Sequence, residues 1–227
     1  YRMLVYGGVC RDHLEPATAC AVADGLGLNP ATEIYDLSNA CLGVLNGMIQ
    51  VANAIELGQI KAGMIVSCES ARQIIDITIQ RLLDGPDMAL FKKTIATLTG
   101  GSGAIAVVLS QKNVNPDGHR LVGGVVRSAP RHHALCRWGP DTGIPASGLH
   151  FMETDSVEVL KNGVDLGIET YRDFLAALQW PPHKPDKIIC HQVGAAHQKS
   201  ILEALAISED KDFTTYRYLG NMGTVSL

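Results

Sequence analysis

Apolar residues along this chain occur both in short continuous runs and in longer stretches with helical spacing. The short runs, bounded by glycines or turn residues, predict buried strands at residues 3–6, 33–37, 64–66 and 104–109. Residues 42–57 are apolar on nearly all sides and predict a buried helix. Pro16 and Gly25 mark the first turn and the end of an earlier helix. Because strands alternate with helices, we predict an α/β fold with mainly parallel, buried strands.

The same alternation continues after an irregular middle segment. Helical spacing over residues 74–98, interrupted at residues 84–86, and over residues 154–178 predicts long helices. Further strands are predicted at residues 121–126, 187–190 and 213–218, with a helix at residues 195–205. Residues 128–152 are rich in Pro, Gly and His and predict a loop or lid. We therefore predict three segments: a first half, residues 1–127; the lid, residues 128–152; and a second half, residues 153–227.

Composition narrows the class of protein. Of 227 residues, 46% are hydrophobic and 19% are charged, which is typical of a globular protein, and a net charge of -4 gives no general attraction to nucleic acid. No apolar run reaches the roughly 20 residues that cross a bilayer. None of the six cysteines forms a Cys-x-x-Cys pair, so no zinc site or redox motif is predicted, and scattered cysteines favour a reducing cytoplasm. We expect a chain cut at both ends, since its first residues continue a strand and its last open a helix.

Cys41 lies where a predicted strand turns into the buried helix, in the segment Asp36-Leu37-Ser38-Asn39-Ala40-Cys41-Leu42-Gly43. The dipole of a helix favours the thiolate form of a thiol at its N-terminus, and the N–H groups of the first turn are placed to hold an oxyanion. The small residues Ala40 and Gly43 leave room for a substrate. This position indicates a nucleophile, with a buried structural cysteine as the alternative.

Two more polar residues lie at positions that favour chemistry. His191 follows the predicted strand at residues 187–190, where α/β folds place their sites, although a core histidine is the simpler alternative. Asn221 lies in a Gly-Asn-x-Gly segment that lets a ligand approach, and its amide donates hydrogen bonds without titrating; a plain turn is the alternative. His197 follows His191 by six residues. A metal held by the two histidines would need a third ligand, which only Cys190 offers.

Three motifs in this order resemble the β-ketoacyl-(acyl carrier protein) synthase III family of the thiolase superfamily: Asn39-Ala40-Cys41-Leu42-Gly43, His191-Gln192-Val193 and Gly220-Asn221-Met222-Gly223-Thr224-Val225-Ser226. The resemblance implies a thiolase-like layered αβαβα fold of two related halves, of which the chain covers roughly two-thirds. It implies that Cys41 takes an acyl group from a thioester. His191 and Asn221 would stabilise the enolate of a second substrate, and Gly43, Gly103 and His197 are predicted to lie against the substrates.

Glu15 precedes Pro16 at a position where initiating enzymes of fatty-acid synthesis have an aromatic or apolar residue. A glutamate there resembles the olefin-pathway condensing enzymes (OleA type). That resemblance implies that Glu15 reaches across a dimer interface and removes an α-proton, a task that suits a carboxylate whose pKa is raised by burial. The predicted reaction is the non-decarboxylative joining of two fatty acyl-CoA molecules. The alternative is a decarboxylative 3-oxoacyl synthase that initiates fatty acid biosynthesis with malonyl carrier protein.

The resemblance also implies the partners of the protein. Neither a cofactor nor a metal is expected beyond the thioester of coenzyme A or acyl carrier protein that serves as substrate, and a homodimer is expected. The glycine-rich segment that completes the family's oxyanion hole would follow residue 227, and part of the coenzyme A contact would precede residue 1. A non-catalytic binding or scaffold protein and a cysteine hydrolase stay open as alternatives from other classes.

Overall fold

The structure is a computed structural model that describes residues 1–11, 13–140 and 150–227, without the side chain of residue 140. The chain forms two compact units, each assembled from separate segments. The first unit comprises Tyr1–Ser70, Ser102–Leu121 and Met222–Leu227, and the second comprises Ala71–Gly101 and Val122–Asn221. The predicted boundaries at residues 127 and 152 separate two related halves of the fold and the lid between them. This division stays a prediction.

A four-stranded mixed sheet forms the centre of the first unit. Its strands are β1 (Met3–Gly7), β2 (Glu33–Leu37), β3 (Ala62–Ser70) and β4 (Ser102–Ser110). They lie in the order β2-β1-β3-β4, in which β1 pairs parallel with both of its neighbours and β3 pairs antiparallel with β4. The prediction of mainly parallel strands is therefore confirmed for three of the four, and the antiparallel direction of β4 is an addition.

Helices pack on both faces of this sheet. Helix α1 (Thr18–Gly25) follows β1, and helix α2 (Gly43–Glu56) follows β2 after a 3₁₀ turn at Ala40–Leu42. Side chains of β1 alternate between two cores because successive residues of a strand point to opposite faces. The core that includes α2 contains Met3, Val5, Val44, Val51 and Ile65, and the core that includes α1 contains Leu4, Tyr6, Ala19, Ala23 and Val66. Strand β1 is thus buried on both faces, as its apolar run predicts.

The second unit is mostly helical. Its described helices are α3 (Arg72–Asp84), α4 (Met88–Leu98), α5 (Ser156–Leu178), α6 (Ala195–Ala204) and α7 (Tyr216–Leu219), and its described strands are β5 (Cys136–Pro140) and β6 (His150–Thr154). The break between α3 and α4 confirms the predicted interruption, and Asp87 caps α4 by accepting from the N–H groups of Ala89 and Leu90. None of the described helices is long and apolar enough to cross a membrane.

Several predicted elements of the second unit differ from the structure. Residues 121–126 were predicted as a strand but have no regular structure. The predicted strand at residues 213–218 is wrong at its end, because residues 216–219 are helical. The predicted strand at residues 187–190 is reduced to one parallel bridge between Ile188 and Asp212. A strand requires a hydrogen-bonded neighbour along its length, and here the described pairing consists of the bonds from the Ile188 N–H to Lys211 and from the Phe213 N–H to Ile188.

The predicted lid at residues 128–152 is also partly wrong. Strands β5 and β6 form an antiparallel ribbon in it, with Cys136 opposite Thr154. Pro and Gly suggested a loop, but a two-stranded ribbon tolerates Pro140 at the end of a strand. Residues 141–149 of the predicted lid lie outside the described residues.

Candidate active site

Cys41 lies in the 3₁₀ turn between β2 and α2, so the predicted strand–turn–helix arrangement is confirmed. The residue before it, Ala40, has a φ of 44°. This left-handed conformation costs a residue with a Cβ about 1–2 kcal/mol. Strained backbone of this kind is concentrated at functional sites, and here it turns the chain sharply beside the half-buried thiol. No feature of the sequence predicted this conformation for an alanine.

The first turn of α2 contributes fewer free donors than the sequence predicts. The N–H of Leu42 donates to Asn39, the N–H of Gly43 donates to Ala40, and the N–H of Val44 donates to Thr224 Oγ1 at 2.8 Å. These three groups are engaged within the chain. The expectation that the N–H groups of the first turn hold an oxyanion is therefore wrong for residues 42–44.

Thr224 is fully buried and caps α2 from a segment 180 residues further along the chain. It belongs to a 3₁₀ turn at Gly223–Ser226, which is closed by a hydrogen bond from the Met222 N–H to Ser226 Oγ. The sequence motif contains Thr224 but does not assign it a role. The structure shows that its hydroxyl satisfies a donor at the N-terminus of the helix that follows the candidate nucleophile.

Both predicted substrate-binding glycines, Gly43 and Gly103, have packing roles in the first unit. A Cβ on Gly43 would lie 2.9 Å from the carbonyl carbon of Gly7, so the end of β1 and the start of α2 touch main chain to main chain. A Cβ on Gly103 would lie 2.7 Å from Met222 Sδ. Both contacts require glycine because a methyl group would displace main chain or a buried side chain. The predicted contact of Gly43 and Gly103 with substrate stays a prediction.

Glu15 is exposed in the loop between β1 and α1. The far end of this loop is held by Asp36, whose two oxygens accept from the N–H groups of Thr18 and Ala19 at 2.9 Å each. The described residues of this chain leave Glu15 without the burial that would suit a proton-abstracting carboxylate. A second surface would have to cover Glu15, which is what the predicted dimer implies.

Two other thiols are poor competitors of Cys41. Burial, followed by a hydrogen bond with Glu69, raises the pKa of Cys10 to about 12. Burial, followed by the charge of Asp212, raises the pKa of Cys190 to about 11. Both therefore stay protonated near neutral pH, where the thiolate is the reactive form.

His191 lies in the second unit with its imidazole largely buried. Burial, followed by the proximity of His197, lowers the pKa of His191 to about 4. Its Nδ1 is buried and has no hydrogen-bond partner among the described residues. The imidazole is thus neutral at physiological pH, and a neutral imidazole donates a hydrogen bond from one nitrogen only.

This burial predicts a dependence of stability on pH. Between about pH 6.5 and 4, His191 is protonated in the unfolded chain but neutral in the folded chain. Because the unfolded chain binds more protons, the free energy of unfolding rises with pH in that window. We expect the wild type to lose about 1–2 kcal/mol between pH 7 and pH 5 from this group, and His191→Gln to lose correspondingly less. Urea denaturation at pH 7 and pH 5 measures the loss of stability in the wild type and in His191→Gln. His183→Gln, at an exposed position of the same unit, is the control; equal losses in all three proteins would contradict the assignment.

His197 lies in the first turn of α6, beside His191. Its Nδ1 is also buried without a hydrogen-bond partner among the described residues, and burial lowers its pKa. A Cβ on Gly163 would lie 3.9 Å from His197 Nε2, so α5 leaves room for the ring. The alternative of a metal on the histidine pair lacks support, because the described residues contain no group of three potential ligands. Contact of His197 with substrate stays a prediction.

Asn221 has its main chain fixed against residues 99–101. Its N–H donates to Thr99, its carbonyl accepts from Gly101, and it forms a parallel bridge with Gly100. The preceding Gly220 has a φ of 68°, and a Cβ there would lie 2.6 Å from the Thr99 carbonyl oxygen. Glycine is therefore required next to Asn221, as the motif suggested, although the reason is contact with the chain itself.

Gln192 is a structural residue whose importance the sequence did not reveal. It is 2% exposed, and its amide makes four hydrogen bonds to the main chain. Nε2 donates to the carbonyls of Cys190 and Phe213, and Oε1 accepts from the N–H groups of Thr215 and Tyr216. These bonds tie the segment that carries His191 to the segment that leads through α7 to Asn221. The available signal was a second polar residue, after His191, at the end of an apolar run.

The candidate residues are thus divided between the units. Cys41, Glu15, Gly43 and Gly103 belong to the first unit, where Cys41 and Gly43 are neighbours at the start of α2. His191, His197 and Asn221 belong to the second unit, where the two histidines lie together. Gln192 connects the chain around His191 with the segment before Asn221.

Comparison with known proteins extends this description. A sequence model of the family described as 3-oxoacyl-[acyl-carrier-protein (ACP)] synthase III matches residues 35–129. The chain is 54% identical to an acyl-CoA:acyl-CoA alkyltransferase of Shewanella oneidensis over 99% of its length, and 33% identical to the protein of that name from Xanthomonas campestris pv. campestris. A beta-ketoacyl-[acyl-carrier-protein] synthase III of Campylobacter curvus is 27% identical over 95% of the chain and 62% of the relative. The chain spans 65% and 64% of the two alkyltransferases.

Solved structures give the same relationship at the level of the fold. The structure superposes on Xanthomonas campestris OleA with bound lauric acid and lauroyl-CoA at a TM-score of 0.91 and 32% identity, covering 99% of this chain and 64% of that one. The cerulenin-bound form of that protein gives a TM-score of 0.90 at 32% identity, with coverage of 99% and 63%. The predicted thiolase-like fold is thereby confirmed.

Proposed function

We propose that this chain belongs to the 3-oxoacyl-[acyl-carrier-protein] synthase III family, and that the full-length protein is an acyltransferase that joins two fatty acyl-CoA molecules. One observation carries the proposal. Cys41 occupies a strained turn just before a helix with one buried face, in a chain that is 54% identical to an acyl-CoA:acyl-CoA alkyltransferase. The reaction is a Claisen-type condensation through an acyl-cysteine intermediate.

In the first step Cys41 becomes acylated. Its thiolate attacks the carbonyl carbon of an acyl-CoA, the C–S bond to coenzyme A breaks, and coenzyme A leaves as the thiol after taking a proton. A thioester replaces a thioester, so the acyl group keeps its reactivity toward the next nucleophile. The raised pKa values of Cys10 and Cys190 support Cys41 as the thiol that reacts.

In the second step a carbon nucleophile is made from a second acyl-CoA. Glu15 takes a proton from the carbon next to the thioester carbonyl, and the negative charge passes to the carbonyl oxygen. His191 and Asn221 donate hydrogen bonds to that oxygen, where neutral donors act most strongly as the charge develops. The low pKa of His191 supports this role because it keeps the imidazole neutral.

The third step forms the carbon–carbon bond. The enolate carbon attacks the carbonyl of acyl-Cys41, and the bond from that carbonyl to the Cys41 sulfur breaks. The product is a β-ketoacyl-CoA, and the sulfur is returned as a thiolate. The reaction releases no carbon dioxide. Glu15 must pass on the proton that it removed before it can act as the base in the next cycle.

Substitutions chosen in the solved relative support the residue roles. The OleA structures include variants at one cysteine, one glutamate and one histidine. The glutamate of that protein precedes the cysteine by the same number of positions as Glu15 precedes Cys41. The bound lauroyl-CoA of the relative supports a fatty acyl-CoA as substrate here.

We also infer the oligomeric state of the protein and its location in the cell. Glu15 and Leu14, which is 85% exposed, lie on a loop that a second copy would cover, so we infer a homodimer. None of the six described cysteines is disulfide-bonded, which supports a reducing cytoplasm as the location.

A second reaction has specific support. The family model and the relatives that are 27% identical are named for 3-oxoacyl-ACP synthase III, whose decarboxylative reaction with a malonyl carrier protein would place the chain in fatty acid biosynthesis. In that reaction loss of carbon dioxide generates the enolate and Glu15 has no proton to remove. The two reactions therefore differ in their second substrate.

We expect the full-length protein to form a β-ketoacyl-CoA from lauroyl-CoA alone, with release of coenzyme A, and to release no labelled carbon dioxide from carboxyl-labelled malonyl thioester. Thiol release and product mass measure the first result, and trapping of carbon dioxide measures the second. Labelled carbon dioxide without condensation of lauroyl-CoA would establish the decarboxylative alternative. Binding of lauroyl-CoA without a covalent adduct or product would favour the non-catalytic alternative.

A further inference from the structure

A buried carboxylate lies in the first unit outside the candidate catalytic and substrate-binding residues. Glu69, near the end of β3, is 4% exposed. Burial of a carboxylate is costly unless hydrogen bonds or opposite charges compensate it. The ion pairs of the described residues do not include Glu69. Its compensation must therefore come from hydrogen bonds.

Those hydrogen bonds come from the chain that follows β1. Glu69 Oε1 accepts from the Val9 N–H at 3.0 Å, and Oε2 accepts from the Cys10 N–H at 3.2 Å. The hydroxyl of Tyr6 lies 2.6 Å from the Cys10 carbonyl oxygen and 2.7 Å from that of Cys68, so it joins the same two segments. Both oxygens of Glu69 are occupied as acceptors, and the group is shielded from water. This arrangement suits holding a loop and does not suit accepting a proton from substrate.

Two glycines lie next to the Glu69 side chain, and one of them, Gly8, makes room for the carboxylate. A Cβ on Gly8 would lie 2.9 Å from Glu69 Oε1, closer than side chains approach. Gly223, with a φ of 58°, faces the other side of Glu69, and a Cβ there would lie 3.4 Å from Cγ. Glu69 therefore contacts both the chain that leads to Glu15 and the turn that caps α2 through Thr224.

The loop with Glu15 is thus held at two points by carboxylates. Glu69 binds the N–H groups at its start, and Asp36 binds the N–H groups of Thr18 and Ala19 at its end. Residue 12, between these points, lies outside the described residues. Fixing both ends of a short loop reduces the space that Glu15 samples, and proton transfer requires a base held within hydrogen-bond reach.

We propose that Glu69 is a positioning residue for Glu15: its buried carboxylate fixes the start of the loop and so sets the reach of the base, without touching substrate. This inference rests on the proposed function, because it takes Glu15 as the base. The hydrogen bonds to Val9 and Cys10 carry it. Glu69, which lies in β3, would therefore affect the condensation step and leave the acylation of Cys41 unaffected.

The test uses the full-length protein with Glu69→Gln, which has the same shape but turns one acceptor into a donor, and Glu69→Asp, which keeps the charge and shortens the reach. Glu33→Gln, at an exposed position of the same unit, is the control. We expect condensation to fall about 10- to 100-fold in both Glu69 variants, the cost of a displaced catalytic group. Acylation of Cys41 should stay within about threefold, as expected if only the loop is displaced.

Three measurements separate positioning from a general loss of structure. With α-deuterated acyl-CoA, the isotope effect on condensation should rise in both Glu69 variants because proton removal becomes limiting. Hydrogen exchange of the peptide that contains Val9 and Cys10 should become faster, while that of α2 stays unchanged. A Glu15→Gln, Glu69→Gln double variant should be no slower than Glu15→Gln alone, because Glu69 acts through Glu15.

Several outcomes would overturn the inference. These are unchanged condensation in both Glu69 variants, equal losses of acylation and condensation, additive losses in the double variant, or failure of both variants to fold, which would make Glu69 a stabilising residue only. If the wild type does not condense acyl-CoA, the proposed function fails instead. The exchange of Val9 and Cys10 then still reports whether Glu69 holds the loop.

Discussion

Cys41→Ala is expected to remove acyl transfer altogether, with a fall in condensation of about 10³-fold or more. The thiolate is the only group in the proposed reaction that forms a covalent bond to the acyl carbon, and alanine offers no replacement. Incubation of the wild type with lauroyl-CoA should give a protein heavier by one acyl group, and Cys41→Ala should keep its own mass. Intact-protein mass spectrometry measures both, and peptide mapping places the adduct.

The other cysteines supply the control for this experiment. Cys20 is exposed, so Cys20→Ala should acquire the acyl group like the wild type. Cys10 and Cys190 keep their protons near neutral pH because burial raises the pKa of each thiol. An adduct that persists in Cys41→Ala, or that maps to another cysteine in the wild type, would contradict the assignment of the nucleophile.

Glu15→Gln should separate the two halves of the reaction. Acylation of Cys41 precedes any removal of a proton, so the acyl adduct should form as in the wild type. Condensation of two acyl-CoA molecules should fall about 10²- to 10⁴-fold, the usual contribution of a general base. Glutamine keeps the size and hydrogen bonds of glutamate but has no basic oxygen. Single-turnover kinetics, with adduct mass and product measured in one sample, resolve the steps.

The pH profile gives an independent measure of the same residue. A carboxylate base must be ionised, so condensation by the wild type should fall as pH drops through the pKa of that carboxyl in the assembled protein. The residual condensation by Glu15→Gln should not show this fall at low pH. Glu33→Gln, at an exposed position of the same unit, should behave as the wild type. Condensation at the wild-type rate by Glu15→Gln would assign the base elsewhere.

Local features were accessible from the sequence because they depend on near neighbours. The apolar runs located β1 and β2, the helical spacing located α2 and α5, and the break at residues 84–86 separated α3 from α4. The position of Cys41 at the start of α2 follows from the same local pattern. Each of these depends on the period of apolar residues or on a turn residue, both of which are visible within about one element length.

The sequence pattern was misleading where an element depends on a distant partner. Residues 187–190 have the composition of a strand, but described pairing exists only around Ile188 and Asp212. Residues 136–140 have the composition of a loop, but they pair with residues 150–154. The direction of β4 was also undetermined. Composition predicts that a segment is suited to a strand, and the neighbour decides whether the strand forms.

By itself, the sequence determined the α/β class, the position of the candidate nucleophile on its turn, and the motifs that resemble the synthase III family. Only the tertiary structure revealed that Thr224 caps α2, that Gln192 links the segments of His191 and Asn221, and that Glu69 holds the chain before Glu15. These contacts join main-chain groups to side chains from other parts of the chain. A hydrogen bond of this kind is specified by geometry in three dimensions, and no periodicity along the chain records it.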